Sequence, residues 1–121
     1  VTSSIPILRI RGHILVSVQT ELGDDVVEQF QRDVLSAIEQ SPGSTTGGLL
    51  IDISGLEVVD TYVARVLADT AAMARLMGRQ TVVCGMRPEV AATLVQMGYF
   101  LETVITALDL DDGLDRLGLP R

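Results

Sequence analysis

A hydroxyl follows a carboxylate at Asp60-Thr61, and the residues after it, Val63, Val66, Leu67, Thr70, Ala74 and Met77, recur at helical spacing. The pair therefore marks the N-terminal boundary of a helix. There the first backbone N–H groups have no intrahelical partner and the summed peptide dipole favours negative charge. Thr61 is a candidate phosphorylation site on that ground. A phosphoryl group would add about −1.5 to −2 charges at neutral pH beside Asp60, leave the helix folded, and repel an acidic partner surface or open a tight contact. The plainer role for Asp60 or Thr61 is an N-cap, worth about 1 kcal/mol, and local chemistry taken alone favours it because caps are common.

Other residues of chemical interest are weaker. Asp52 ends the apolar run that precedes Thr61, but a receiver-type phosphoacceptor needs an acidic pair after the first strand and a lysine near the last, and the sequence has neither. Asp52 is expected instead to accept backbone or hydroxyl hydrogen bonds in the loop leading to Thr61, supporting the switch with Asp60. Tyr62, one of four aromatic residues, and Arg65 are the candidate contacts for a partner protein, since tyrosine and arginine are favoured anchors. Arg65 and Asp69 are also spaced as a surface pair worth a few tenths of a kcal/mol. The Gly43–Gly48 loop lacks the Gly-Lys-Ser/Thr ending of a phosphate-binding loop, and Ser54–Glu57 reads as a turn more than a capping box. His13, the only histidine, has no second ligand type nearby, so neither a metal site nor a Ser-His triad is implied. Cys84 sits in an apolar strand and reads as a small buried hydrophobe.

These residues need a scaffold, and the pattern supplies an α/β one. Ile5–Ile10 and His13–Gln19 read as a hairpin turning at Arg11-Gly12. Asp24 and Asp25 are expected to cap a helix with Val27, Phe30, Val34 and Ile38 inside, ending near Ser41-Pro42-Gly43, before a flexible loop over 44–48. Leu49–Ile53 is too continuously apolar for a half-exposed strand and predicts a central one. The Thr61 helix stops at Gly78, a strand covers Gln80–Gly85, and Pro88 opens a helix with Glu89 in its first turn and Ala91, Leu94 and Val95 inside. Gly98 ends that helix, Thr103–Thr106 makes a short strand, and Asp109 caps a last helix carrying Leu110, Leu114 and Leu117. The order β-β-α-β-α-β-α-β-α implies a mixed, mainly parallel sheet with one antiparallel strand and right-handed crossovers.

Composition narrows the class. At 121 residues the chain is expected to form one domain, 1–121. Its 47% hydrophobic residues place it well above disordered chains, yet no apolar run approaches the ~20 residues of a membrane span. With no signal-peptide pattern at Val1-Thr2-Ser3-Ser4, a soluble cytoplasmic protein is expected. The net charge is −7, lysine is absent, and the arginines are scattered, so nucleic acid is disfavoured and a protein partner is expected.

The segment Asp52-Ile53-Ser54-Gly55-Leu56-Glu57-Val58-Val59-Asp60-Thr61 resembles the signature of STAS domains, the sulfate-transporter and anti-sigma-factor-antagonist family. Bacterial members carry a phosphorylated Ser or Thr just after that aspartate. Ile5–Leu8 followed by Leu15–Gln19, Ala64–Leu67, Arg75–Gly78 and Glu102–Leu110 are similar to the RsbS group, the small antagonists of the stressosome, across nearly the whole chain. RsbS proteins usually present Ser at the acceptor position, and the sister RsbR proteins present Thr there; the family's kinase modifies both. The resemblance implies the STAS fold and a non-enzymatic scaffold without cofactor or metal. It implies an RsbT-type serine/threonine kinase and RsbR-type STAS proteins as partners in a large assembly, with dimers or higher homo-oligomers. Thr93 lies in Arg87–Thr93, which resembles a secondary phosphorylation region of RsbR proteins, although a plain helical threonine is the simpler expectation. An anti-anti-sigma factor binding an anti-sigma kinase directly is the alternative within the same fold.

Overall fold

The computed structural model describes residues 5–10, 12–18, 22–40, 47–98 and 104–117. Strands β1 (Ile7–Ile10) and β2 (His13–Ser17) form the expected hairpin, followed by α1 (Asp24–Glu39), β3 (Leu49–Asp52), α2 (Thr61–Leu76), β4 (Thr81–Cys84), α3 (Pro88–Met97), β5 (Ile105–Ala107) and α4 (Leu110–Arg116). The sheet order is β1-β2-β3-β4-β5, with β1 and β2 antiparallel and every later pair parallel. Register aligns Ile14, Leu49 and Thr81 across the three inner strands.

Alternation along these strands divides the core. Ile14, Val16, Leu49, Ile51 and Val83 face Val27, Phe30 and Val34 of α1, the apolar stripe of α2, and Val90 and Leu94 of α3. On the opposite face Leu50, Val82 and Cys84 are covered by Leu114 and Leu117. Gly113 explains how α4 lies so close. A Cβ there would meet Leu50 Cδ1 at 2.6 Å, so the helix tolerates the glycine's conformational cost in exchange for contact.

Three details differ from expectation. The N-cap of α1 is Gly23, extended at φ −80° and ψ 169°, and Asp24 and Asp25 occupy the first turn, where they favour the dipole without capping. Met77 lies beyond the last turn of α2 and is exposed. In α3, Val90 joins Leu94 in the core and Val95 is 64% exposed, because residues four apart share a helix face whereas the next residue is rotated by about 100°. Arg11, Gln19, residues 41–46 and Thr103, on which parts of the expected turn, strand ends and loop fall, lie outside the described residues.

A polar cluster is buried where the strands begin. His13 Nδ1 accepts from the Gly48 N–H at 2.7 Å, which places the ring proton on Nε2. Arg79 Nη1 donates to the carbonyls of Gly12 and Gly48 at 3.2 and 3.3 Å. Burial first, and then the Arg79 charge, hold the His13 pKa below its ordinary value. Among the described residues His13 Nε2 and Thr81 Oγ1 have no hydrogen-bond partner.

Candidate functional site

The chain leaves β3 in the middle of the sheet, and the loop 53–60 carries it to α2. Ile53 and Leu56 are fully buried, so the loop is pinned by two apolar side chains. The Ile53 N–H donates to the Cys84 carbonyl at 3.0 Å and the Leu56 N–H to Ile53 at 2.9 Å. Asp52 Oδ1 accepts from the Ser54 N–H at 3.0 Å, the turn-supporting role expected of it. The neighbouring β4–α3 turn closes against this point. Gly85 has φ +74°, and a Cβ there would stand 2.7 Å from Asp52 Oδ1 and 2.9 Å from Ser54 Cβ, so both the backbone angle and the space require glycine.

Asp60, extended at φ −86° and ψ 170°, is the N-cap: its Oδ1 accepts from the Val63 N–H at 2.8 Å. The choice between Asp60 and Thr61 as cap is thereby resolved. Thr61 is the first helical residue, is exposed, and its hydroxyl has no hydrogen-bond partner among the described residues. Asp60 occupies only one of the open backbone donors, and the N–H groups of Thr61 and Tyr62 remain at the end of the dipole. An anion on the Thr61 hydroxyl is therefore compatible with a folded helix.

The partner-contact candidates divide. Tyr62 is 38% exposed, but its hydroxyl donates to the Glu28 carboxylate of α1, so it ties two helices together beside Thr61. That hydrogen bond, followed by partial burial and the charges of Glu28, Asp24 and Asp25, raises the phenol's pKa. Arg65 is exposed one turn further along α2. Thr93 is half-buried on α3 and donates to the Glu89 carbonyl at 3.4 Å, the usual behaviour of a helical threonine.

Two members of this end of the molecule carried no signal in the sequence. Glu28 precedes Tyr62 by 34 residues, and nothing local marks the contact. Arg87 donates through Nε to the Ser54 carbonyl at 3.1 Å across 33 residues of sequence, and no local pattern marks that contact either. Asp24, Asp25 and Glu28 on α1, Glu57 and Asp60 on the loop, and Asp109 and Asp111 near α4 make the strands' C-terminal end acidic. Arg87 is the one basic residue in the described loops there.

A shallow cleft of about 470 Å³ at the same end is lined by Asp52, Ser54, Gly85, Leu108, Asp109, Leu110 and Asp111. Among the described residues no group of His, Cys, Asp or Glu is arranged to hold a metal. Burial, with smaller contributions from Asp52, Asp109 and Asp112, pushes the Cys84 thiol up to about 12, so it stays protonated and unreactive. No described helix is long and apolar enough to cross a membrane.

The STAS domain profile matches residues 4–112. A serine-to-glutamate variant of RsbS from Moorella thermoacetica shares 41% identity with the chain, covers 96% of each chain, and superposes with a TM-score of 0.82. A chain from the structure described as the molecular architecture of the stressosome, a signal integration and transduction hub, shares 42% identity over 93% of this chain and 96% of its own, with a TM-score of 0.78. The RsbT co-antagonist protein RsbRA of Bacillus subtilis is 32% identical over 116 residues, 92% of this chain. The chain spans 40% of the length of RsbRA and 30% of that of its relative RsbRD.

Proposed function

The chain belongs to the STAS domain family, and from that premise we propose that it is a non-enzymatic stressosome scaffold and antagonist, regulated by phosphorylation at Thr61. In this reading residues 1–121 act as one STAS domain in the cytoplasm. The domain assembles with RsbR-type proteins and holds an RsbT-type serine/threonine kinase inactive until Thr61 is modified, regulating the general stress response or a related pathway. One observation carries the reading: the chain matches an RsbS structure at 41% identity over 96% of its length, and an exposed hydroxyl without a partner among the described residues lies at the first residue of α2 beside a capping aspartate.

The chemistry asks little of the substrate. The Thr61 oxygen bonds to the γ-phosphorus of ATP as the bond to the β-bridging oxygen breaks, ADP leaves, and the hydroxyl proton passes to a base on the kinase. ATP and magnesium belong to the kinase. The dianion then stands at the helix N-terminus, where the dipole favours it by about 0.3–1 kcal/mol. For a kinase seated against this acidic end the sign reverses. Added charge beside Asp60 and Glu57 must be desolvated or repelled at the interface, and the complex loosens.

The test is labelling with ATP, magnesium and the RsbT-type kinase. Mass spectrometry is expected to find phosphate on Thr61, and Thr61→Ala to abolish both label and kinase release. Phosphate on Thr93 alone, with release intact in Thr61→Ala, would defeat the proposal. Light scattering of the chain mixed with an RsbR-type protein is expected to find large complexes. A small complex with an anti-sigma factor instead would establish the direct anti-anti-sigma role.

A further inference from the structure

Arg87 has no part in the function proposed above, yet the structure ties it to the acceptor loop. Proline disfavours the α conformation in the residue ahead of it. Arg87 is accordingly extended, at φ −83° and ψ 154°, and its side chain makes no cap bond to α3. It turns instead to β3's exit, where Nε donates to the Ser54 carbonyl at 3.1 Å. Ser54 is thereby held at both of its backbone polar groups, its N–H by Asp52 and its C=O by Arg87, while Gly85 closes against its side chain.

The position of that clamp gives it reach. Ser54 lies between Ile53, bonded to β4, and Leu56, buried in the core, so the three fix the first half of the loop. The second half, Glu57 to Asp60, is exposed or half-buried and passes directly into the cap of α2. Val59 packs against the core, and the rest of this path starts from where the first half delivers it.

We propose that Arg87 is a positioning residue for the Thr61 acceptor: through the Ser54 carbonyl it sets the loop that aims the α2 first turn, and with it the hydroxyl, at the kinase. The inference rests on Thr61 being the acceptor. It assigns Arg87 an orienting role distinct from the general stability of the fold, because its side chain is exposed and grips a loop, not the core.

Arg87→Ala and Arg87→Gln separate the possibilities, since the glutamine amide nitrogen occupies the same place along the side chain as arginine Nε and keeps a donor without the charge. With the RsbT-type kinase and ATP–magnesium, Arg87→Ala is expected to lower kcat for Thr61 phosphorylation on the order of tenfold with KM within about twofold, as loss of orientation without loss of binding does. Arg87→Gln is expected to retain most of the wild-type rate. Amide hydrogen exchange at Leu56 and Val63, read without kinase, is expected to accelerate in Arg87→Ala and not in Arg87→Gln. Unchanged kcat and exchange in Arg87→Ala would overturn the inference, and so would equal losses in both variants, which would assign the effect to charge. If wild-type Thr61 is never labelled, the proposed function fails, and the exchange data still decide whether Arg87 holds the loop.

Discussion

At the start of α2 the cap and the candidate acceptor are separate residues: Asp60 supplies the oxygen that closes the helix end, which leaves the Thr61 hydroxyl without a partner among the described residues. Thr61→Ser is therefore expected to preserve both fold and switching, since the substitution removes only a methyl group from an exposed position. Thr61→Asp should weaken kinase capture less than phosphorylation does, because a carboxylate brings one charge where the phosphate brings about −1.5 to −2 and a third acceptor oxygen. Binding titrations of the kinase against the serine, aspartate and phosphorylated forms check the order, and an aspartate form that binds as tightly as the unmodified protein would remove charge from the mechanism. Asp60 and Thr61 were legible in the sequence because helix ends are marked locally. Glu28 and Arg87 were not, since the contacts they make span 34 and 33 residues and depend on how α1 and the β4–α3 turn pack around α2.

Among the elements, α2 is where local and tertiary signals agree. Its buried stripe of Val63, Val66, Leu67, Thr70 and Ala74 follows the 3.6-residue period, and the cap bond from Val63 to Asp60 begins it. Asp60→Ala is expected to cost about 1 kcal/mol, the usual value of a side-chain cap, while Asp60→Asn is expected to cost little. Urea unfolding of the two variants measures the difference, and equal midpoints would show that the loop's buried Leu56 alone fixes the helix start. Central β3, covered on both faces, was legible too: the run Leu49–Ile53 is too continuously apolar for a half-exposed strand. In α3 the pattern misled, because Ala91, Leu94 and Val95 suit a helical face as well as Val90 and Leu94 do. Only the placement of α3 against α2 and the sheet selects Val90 and leaves Val95 exposed. Where several apolar residues crowd one helix, periodicity identifies the helix and packing chooses its face.

Across the whole molecule the two ends of the sheet are built from opposite chemistry. Where the strands begin, His13 and Arg79 are buried against backbone carbonyls and amides; where they end, the carboxylates of Asp24, Asp25, Glu28, Glu57 and Asp60 gather at the α1 and α2 starts. The first end predicts a stability that falls in acid. Burial and the Arg79 charge hold the folded His13 pKa below the unfolded value of about 6.5, so the unfolded chain binds the extra proton first. Stability is full above that value and declines as pH drops through the window down to the folded pKa, with Nδ1 protonation also breaking the Gly48 bond. His13→Asn, which can keep an acceptor near Nδ1 but does not titrate, is expected to flatten the decline in urea midpoints between pH 7 and 5; an identical slope would assign it to carboxylates. The acidic end predicts how a kinase arrives. With a net charge of −7 and Asp24, Asp25, Glu28, Glu57 and Asp60 around Thr61, association is expected to be steered by complementary charge, so that raising salt slows it far more than it hastens dissociation. Stopped-flow binding of the RsbT-type kinase across salt concentrations reads both rates. A salt-insensitive association rate would mean that the kinase docks on another face, and that Thr61 acts on it from outside the contact.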